Sequence, residues 1–259
     1  MAKQKLEKET KKAVLDARSK IEAVAKIDGN EAETRTRISY IFEKLMGYNI
    51  FEHITQEYAI HGAGETVHCD FAVQFGHEES SKPEIIVEIK RVNIDLMPKH
   101  IRQVASYTID IGCDWMLLTN GREWRLYHVS FGKPPQIKLV DSWNLVNDEP
   151  AILAGKFNLI CCKNIKKGGL AQLWEKSNAL TAQNILKVIL SPESITSIRR
   201  NLKKTTDISV SPEEIIGAVR HMLNEAAIAE MQKLDISVSE KKKQKRATSS
   251  MSKKSKQEA

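Results

Sequence analysis

Between positions 85 and 90 the chain reads Ile-Ile-Val-Glu-Ile-Lys, so Ile85, Val87 and Ile89 alternate with Ile86, Glu88 and Lys90. That period of two predicts a strand and puts Glu88 and Lys90 on one face, two residues apart. An earlier apolar run, Cys69-Asp70-Phe71-Ala72-Val73, carries a single acid. The polar segment from Gly76 to Pro83 lies between the two and predicts a hairpin connection. Antiparallel pairing would bring the carboxylates of Asp70 and Glu88 to one point, with Lys90 beside them.

Other periods fill in the surroundings. Leu6, Val14, Leu15, Ile21, Val24 and Ala25 recur at helical spacing and predict a helix over 4–27. Asn30 is a ready N-cap for a helix carrying Ile38, Ile41, Phe42 and Leu45, which Gly47 would end. A strand is predicted over 51–60, with a turn over 61–65. A helix containing Gln103 and Tyr107 runs to Gly112, and a buried strand follows over 114–119. Asn120-Gly121 favours a two-residue hairpin, returning an antiparallel strand over 123–129, and 137–140 adds an edge strand. Beyond Asp148 the pattern is helical, over 150–159, 170–179, 181–190, 192–202 and 212–234, with caps at Ser191-Pro192 and Ser211-Pro212. Periodicity therefore gives a mixed α/β class with an all-α C-terminal extension. It is read as an N-terminal helix (1–27), an α/β domain (28–145), a helical module (146–236) and a disordered basic tail (237–259).

A content of 41% hydrophobic and 28% charged residues fits a packed core with a charged surface. No run approaches the roughly 20 apolar residues of a membrane helix, and no apolar signal core follows the first residues. The expectation is a cytoplasmic protein without membrane contact. Four cysteines occur without a C-x-x-C, and His61 and His68 flank a glycine pair without zinc-finger spacing, so zinc is not expected. The Gly62/Gly64 segment lacks the GK[ST] ending of a phosphate loop, and no nucleotide-motor motif is found. The net charge of +7 is uneven: residues 240–259 carry +6 and residues 1–20 carry +4, leaving −3 for 21–239. The ends can supply salt-sensitive affinity for phosphates, and equally can be solvated faces.

Two converging carboxylates form a hard oxygen site suited to Mg²⁺, with Mn²⁺ a possible substitute, and the Ile89 carbonyl offers a further oxygen. Lys90 is placed to orient or deprotonate an attacking water, or to stabilise charge on a phosphate. The set Asp70…Glu88-Ile89-Lys90 resembles the D…(D/E)-x-K core of the PD-(D/E)xK nuclease superfamily, although Phe71 follows Asp70 and no proline precedes it. Glu31-Ala32-Glu33-Thr34-Arg35, then Gly47-Tyr48, then Gln103-Val104-Ala105-Ser106-Tyr107 and Leu117-Leu118-Thr119-Asn120-Gly121 extend the likeness. In that order they are similar to the N-terminal nuclease domain of type I restriction enzyme R subunits, over roughly 28–130.

The resemblance implies a restriction-endonuclease-like mixed sheet flanked by helices. It implies Mg²⁺-dependent hydrolysis of DNA, in defence against foreign DNA, by Asp70, Glu88 and Lys90. Glu31 would bind a second metal or orient water. Gln103 and Tyr107 would touch DNA or brace the site, and Arg35, Arg37 and Arg91 would meet phosphates. A homodimer and a methylase or specificity subunit are possible partners. The alternatives from the same residues are a catalytically silent DNA-binding or adaptor protein that keeps the fold, and a nuclease directed at RNA or at repair.

Overall fold

The computed structural model describes residues 2–61, 66–76, 82–223 and Glu225; of residues 2–8 only the backbone is described. Among the described residues six strands form one sheet in chain order: β1 (Ile54–His61), β2 (Thr66–Val73), β3 (Ile85–Ile89), β4 (Trp115–Thr119), β5 (Glu123–Ser130) and β6 (Gln136–Asn144). Only β3 and β4 run parallel; the other neighbours are antiparallel. A parallel pair needs a crossover, and α4 (Pro98–Asp110) supplies it. Every residue of β3 and β4 is buried, as expected of strands covered on both faces.

The two faces hold separate apolar clusters. On one, Phe71, Val87, Ile89, Leu117 and Trp124 pack with Ile21 of α1 (Ala2–Lys26), Ile38 and Phe42 of α2 (Glu31–Lys44), and Leu153 and Phe157 of α5 (Pro150–Leu159). On the other, Ala72, Ile86, Met116 and Leu118 meet Val104 and Ala105 of α4. Each such aliphatic or aromatic side chain contributes about 1.5–3 kcal/mol by leaving water. The result is the expected mixed sheet flanked by helices, in a restriction-endonuclease-like arrangement.

Three local expectations change. Residues 51–60 are not one strand: α3 (Ile50–His53) makes a single turn before β1 begins. The Asn49 side chain accepts the Phe51 N–H and caps that turn, and Phe51 projects outward at 99% exposure. The β4–β5 connection spans three residues, Asn120–Arg122, because the Asn120 side chain accepts the N–H groups of both Arg122 and Glu123. The last edge strand is longer than 137–140, and Trp143 at its end stacks on Trp124.

The chain divides into two compact units after Ser177. Helix α5, helix α6 (Cys162–Ile165) and Leu170 at the start of α7 (Gly169–Ala179) join the core beneath the sheet, not the later helices. The second unit contains α8 (Ala182–Ile189), α9 (Pro192–Thr206) and α10 (Pro212–Met222) around Leu186, Leu190, Ile195, Ile215 and Val219. Thr181, Ser191 and Ser211 cap these helices by accepting backbone N–H groups three residues on. The expected turns over 62–65 and 77–81, the continuation of the last helix to 234, and the tail over 237–259 lie outside the described residues. Among the described residues no helix is long and apolar enough to cross a membrane.

Candidate metal centre and active site

Strand register brings the two acids together. Phe71 pairs with Val87 and Ala72 with Ile86, so the next step sets Asp70 opposite Glu88. Opposed residues of an antiparallel pair share a face, with Cβ atoms about 5 Å apart. Both acids are almost fully covered, Asp70 at 7% exposure and Glu88 at 4%. The ladder ends at this step: the Ile89 N–H donates to Asp70 Oδ2 at 2.7 Å. In an extended residue the N–H and C=O face the same side, so the Ile89 carbonyl also looks toward β2.

Lys90 Nζ lies 2.6 Å from Glu88 Oε1. Burial pushes the Glu88 carboxyl above its usual range; Lys90 opposes the shift, while Asp70 and Glu31 add to it. For Lys90, burial works to lower the pKa, but the hydrogen bond to Glu88 and the charges of Glu88, Glu31 and Asp70 outweigh it and raise it. Lys90 is thus held as an ammonium.

The Glu31–Arg35 segment has a clear structural logic. Asn30 and Glu33 form a reciprocal capping box that starts α2. Thr34, fully buried, accepts the Val92 N–H at 3.1 Å and so ties the chain just after Lys90 to this helix. Arg35 Nη2 contacts Asp70 Oδ1 at 2.6 Å, and its Nη1 contacts Glu57 Oε1 at 3.2 Å. Glu31 is exposed at the first position of α2, where its charge reaches both Lys90 and Glu88.

The other expected residues divide. Gln103 Nε2 donates to the Tyr107 hydroxyl at 3.0 Å, and Tyr107 packs against the α4-side cluster, which is a bracing arrangement. Arg91 was expected at phosphate, but its guanidinium is used elsewhere. It donates to the carbonyls of Gly29 and Asp28 and pairs with the Asp28 carboxylate, fastening the α1–α2 turn. Arg37 is half-buried and makes no ion pair among the described residues.

Sequence reasoning missed Thr34 as a tether, Glu57 and His100. Thr34 stood in the E-x-x-T-R pattern and could have been read from it. Glu57 could not: it sits in β1 between the Gln56–Phe71 and Tyr58–Cys69 pairs that flank Asp70, with φ +48, a left-handed conformation costing roughly 1–3 kcal/mol in a non-glycine residue. Buried His100 accepts the Met97 N–H at 3.1 Å, and burial, then Lys90 and Lys99, lower its pKa, so it stays neutral.

Among the described residues no three His, Cys, Asp or Glu side chains gather as a ready metal cage. Mg²⁺ does not require one, because it keeps several waters and binds through one or two carboxylates. The donor set here is two buried carboxylates with the Ile89 peptide carbonyl beside them in the chain, all hard oxygens, and it fits that ion.

A family model covers this part of the chain. Residues 30–142 match the type I restriction enzyme R protein N terminus (HSDR_N). The R protein N-terminal match begins at the cap of α2 and ends inside β6, so every candidate residue lies within it. No curated protein matches the chain significantly. Among solved structures, a chain of the cryo-EM DrdV–DNA complex is similar with TM-score 0.38 and 14% identity. The likeness covers 75% of this chain but only 17% of that one.

Proposed function

We propose that this protein is a metal-dependent DNA endonuclease acting in restriction of foreign DNA. The observation that carries this reading is the buried pair Asp70 and Glu88, with Lys90 bound to Glu88, inside the segment that matches the R protein N terminus. Asp70, Glu88 and the Ile89 carbonyl would hold the ion. A bound Mg²⁺ or Mn²⁺ supplies a Lewis acid for the scissile phosphate and lowers the pKa of a water.

The protein's own groups do the rest. Asp70 is held by the Ile89 N–H, which limits its rotation. Lys90 presents a fixed positive charge where negative charge grows on the phosphate, and preorganised charge in a dry site is worth most there. Glu31, one turn before Arg35, orients water at the open side. Tyr107 packs α4 against the sheet, and Gln103 fixes the Tyr107 hydroxyl from one turn earlier on the same helix.

The test is nicking of supercoiled plasmid by the full chain with Mg²⁺ or Mn²⁺ against EDTA, on unmodified and modified DNA. Wild type cuts only with metal, and Asp70→Ala and Lys90→Ala, still folded, lose on the order of 10²-fold or more. Cutting that survives both substitutions would place the chemistry elsewhere.

A further inference from the structure

Arg35 is shared between two carboxylates and satisfied by neither. One arm of its fork contacts Asp70 Oδ1 at 2.6 Å and the other Glu57 Oε1 at 3.2 Å, while its Nε is buried with no hydrogen-bond partner. A guanidinium binds a single carboxylate best through two parallel N–H donors, so either acid could take it more completely. The two acids differ in setting. Asp70 is buried at the candidate metal centre, whereas the Glu57 side chain is 71% exposed. Glu57 is nevertheless held within reach of Arg35 by a left-handed backbone in mid-strand, between the Gln56–Phe71 and Tyr58–Cys69 pairs that flank Asp70. Strain of that kind persists where the surrounding structure enforces it, and such positions cluster at switching and ligand-clamping sites.

Each carboxylate oxygen of Asp70 already has one partner. Oδ2 accepts from the Ile89 N–H, and Oδ1 faces Arg35. A divalent cation and a guanidinium on one carboxylate oxygen repel each other strongly at this burial. We propose that Arg35 is the resident counter-ion of Asp70, that it swings onto Glu57 when a divalent cation occupies the centre, and that Glu57 thereby sets the site's metal affinity. Glu57 is then a positioning residue acting through Arg35. The inference rests on the nuclease reading above and adds to it a control of metal entry.

The experiment is calorimetric titration of Mn²⁺ into the full chain, with no DNA, for wild type, Arg35→Gln, Glu57→Gln and the double variant, with Asp70→Asn as reference. Arg35→Gln should tighten Mn²⁺ binding about tenfold, the low end of supporting-residue effects on metal sites, and Glu57→Gln, acting one step further out, should weaken it about threefold. In the Arg35→Gln background, Glu57→Gln should have no further effect, because its action requires the guanidinium. Should Arg35→Gln unfold by circular dichroism, Arg35→Lys replaces it; that variant keeps the charge without the fork and should shrink the Glu57 effect. An equal Glu57 effect in both backgrounds would mean simple through-space charge and would overturn the inference alone, as would weaker binding in Arg35→Gln. A wild type that binds Mn²⁺ no better than Asp70→Asn would overturn the nuclease reading and the inference with it.

Discussion

Thr34 lies outside the acid pair, yet it ties the chain just after Lys90 to α2. Its hydroxyl accepts from the Val92 N–H and donates to the Asn30 carbonyl, in full burial. Thr34→Val keeps the shape and strands that N–H, which should cost about 1–3 kcal/mol by urea denaturation; an unchanged midpoint would show that water replaces the hydroxyl. At this scale the acids and Lys90 were legible, because alternation places Glu88 and Lys90 on one face and Asp70 lies alone in an apolar strand. The engagement of Arg35 and Arg91 was not. Both are arginines beside candidate residues, and only the three-dimensional course of the α1–α2 turn separates a clamp on Asp70 from a clamp on Asp28. Glu57 was hidden for another reason: a left-handed residue inside an apolar-polar pattern leaves no trace in the pattern.

Among the elements, α1 approaches the β4–β5 turn closely. Gly121 has φ +82, and a Cβ there would come within 2.6 Å of Ile21 Cδ1. Gly121→Ala meets both the backbone strain and the overlap, and should destabilise by about 1–3 kcal/mol in thermal or chemical melting. A neutral result would mean that α1 yields without cost. The Asn-Gly signal located this turn correctly but not its length, since side-chain acceptance by Asn120 added a residue. The strand expected from 51 failed similarly, because the Asn49 cap is a local preference that outweighed the alternation. A pH effect also belongs here. The His128 ring lies on Trp174 at 3.7 Å and against Trp115; burial lowers its pKa, Asp114 opposes and Lys138 reinforces. Burial likewise lowers His53 and His100. Below the unfolded value of about 6.5 the unfolded chain takes up protons that the folded chain resists. Stability is therefore complete above that pH and declines as pH falls through it toward the lowered folded values. The melting temperature should drop between pH 7 and pH 5, and less steeply in His128→Phe; an identical slope in that variant would remove His128 from the account.

For the whole molecule, the two units have apolar clusters without a residue in common. A chain ended after Ser177 should melt in one cooperative transition, whereas aggregation or a broad, non-cooperative melt would show that the first unit needs the second. The helical character past 148 was readable from spacing and caps, but spacing does not say which helix covers which core; Leu153 and Phe157 look the same in sequence whether they face a sheet or another helix. The proposed function makes the buried Asp70–Glu88 pair a metal-dependent phosphodiesterase site. Its most direct measurement is the rate of plasmid nicking, in Mg²⁺ and in EDTA, by wild type and by Glu88→Gln, which keeps the side-chain shape and removes the charge. Wild type should cut in Mg²⁺ alone, and Glu88→Gln should lose on the order of 10²-fold or more. Equal rates for the two proteins, or cutting that EDTA leaves untouched, would contradict it.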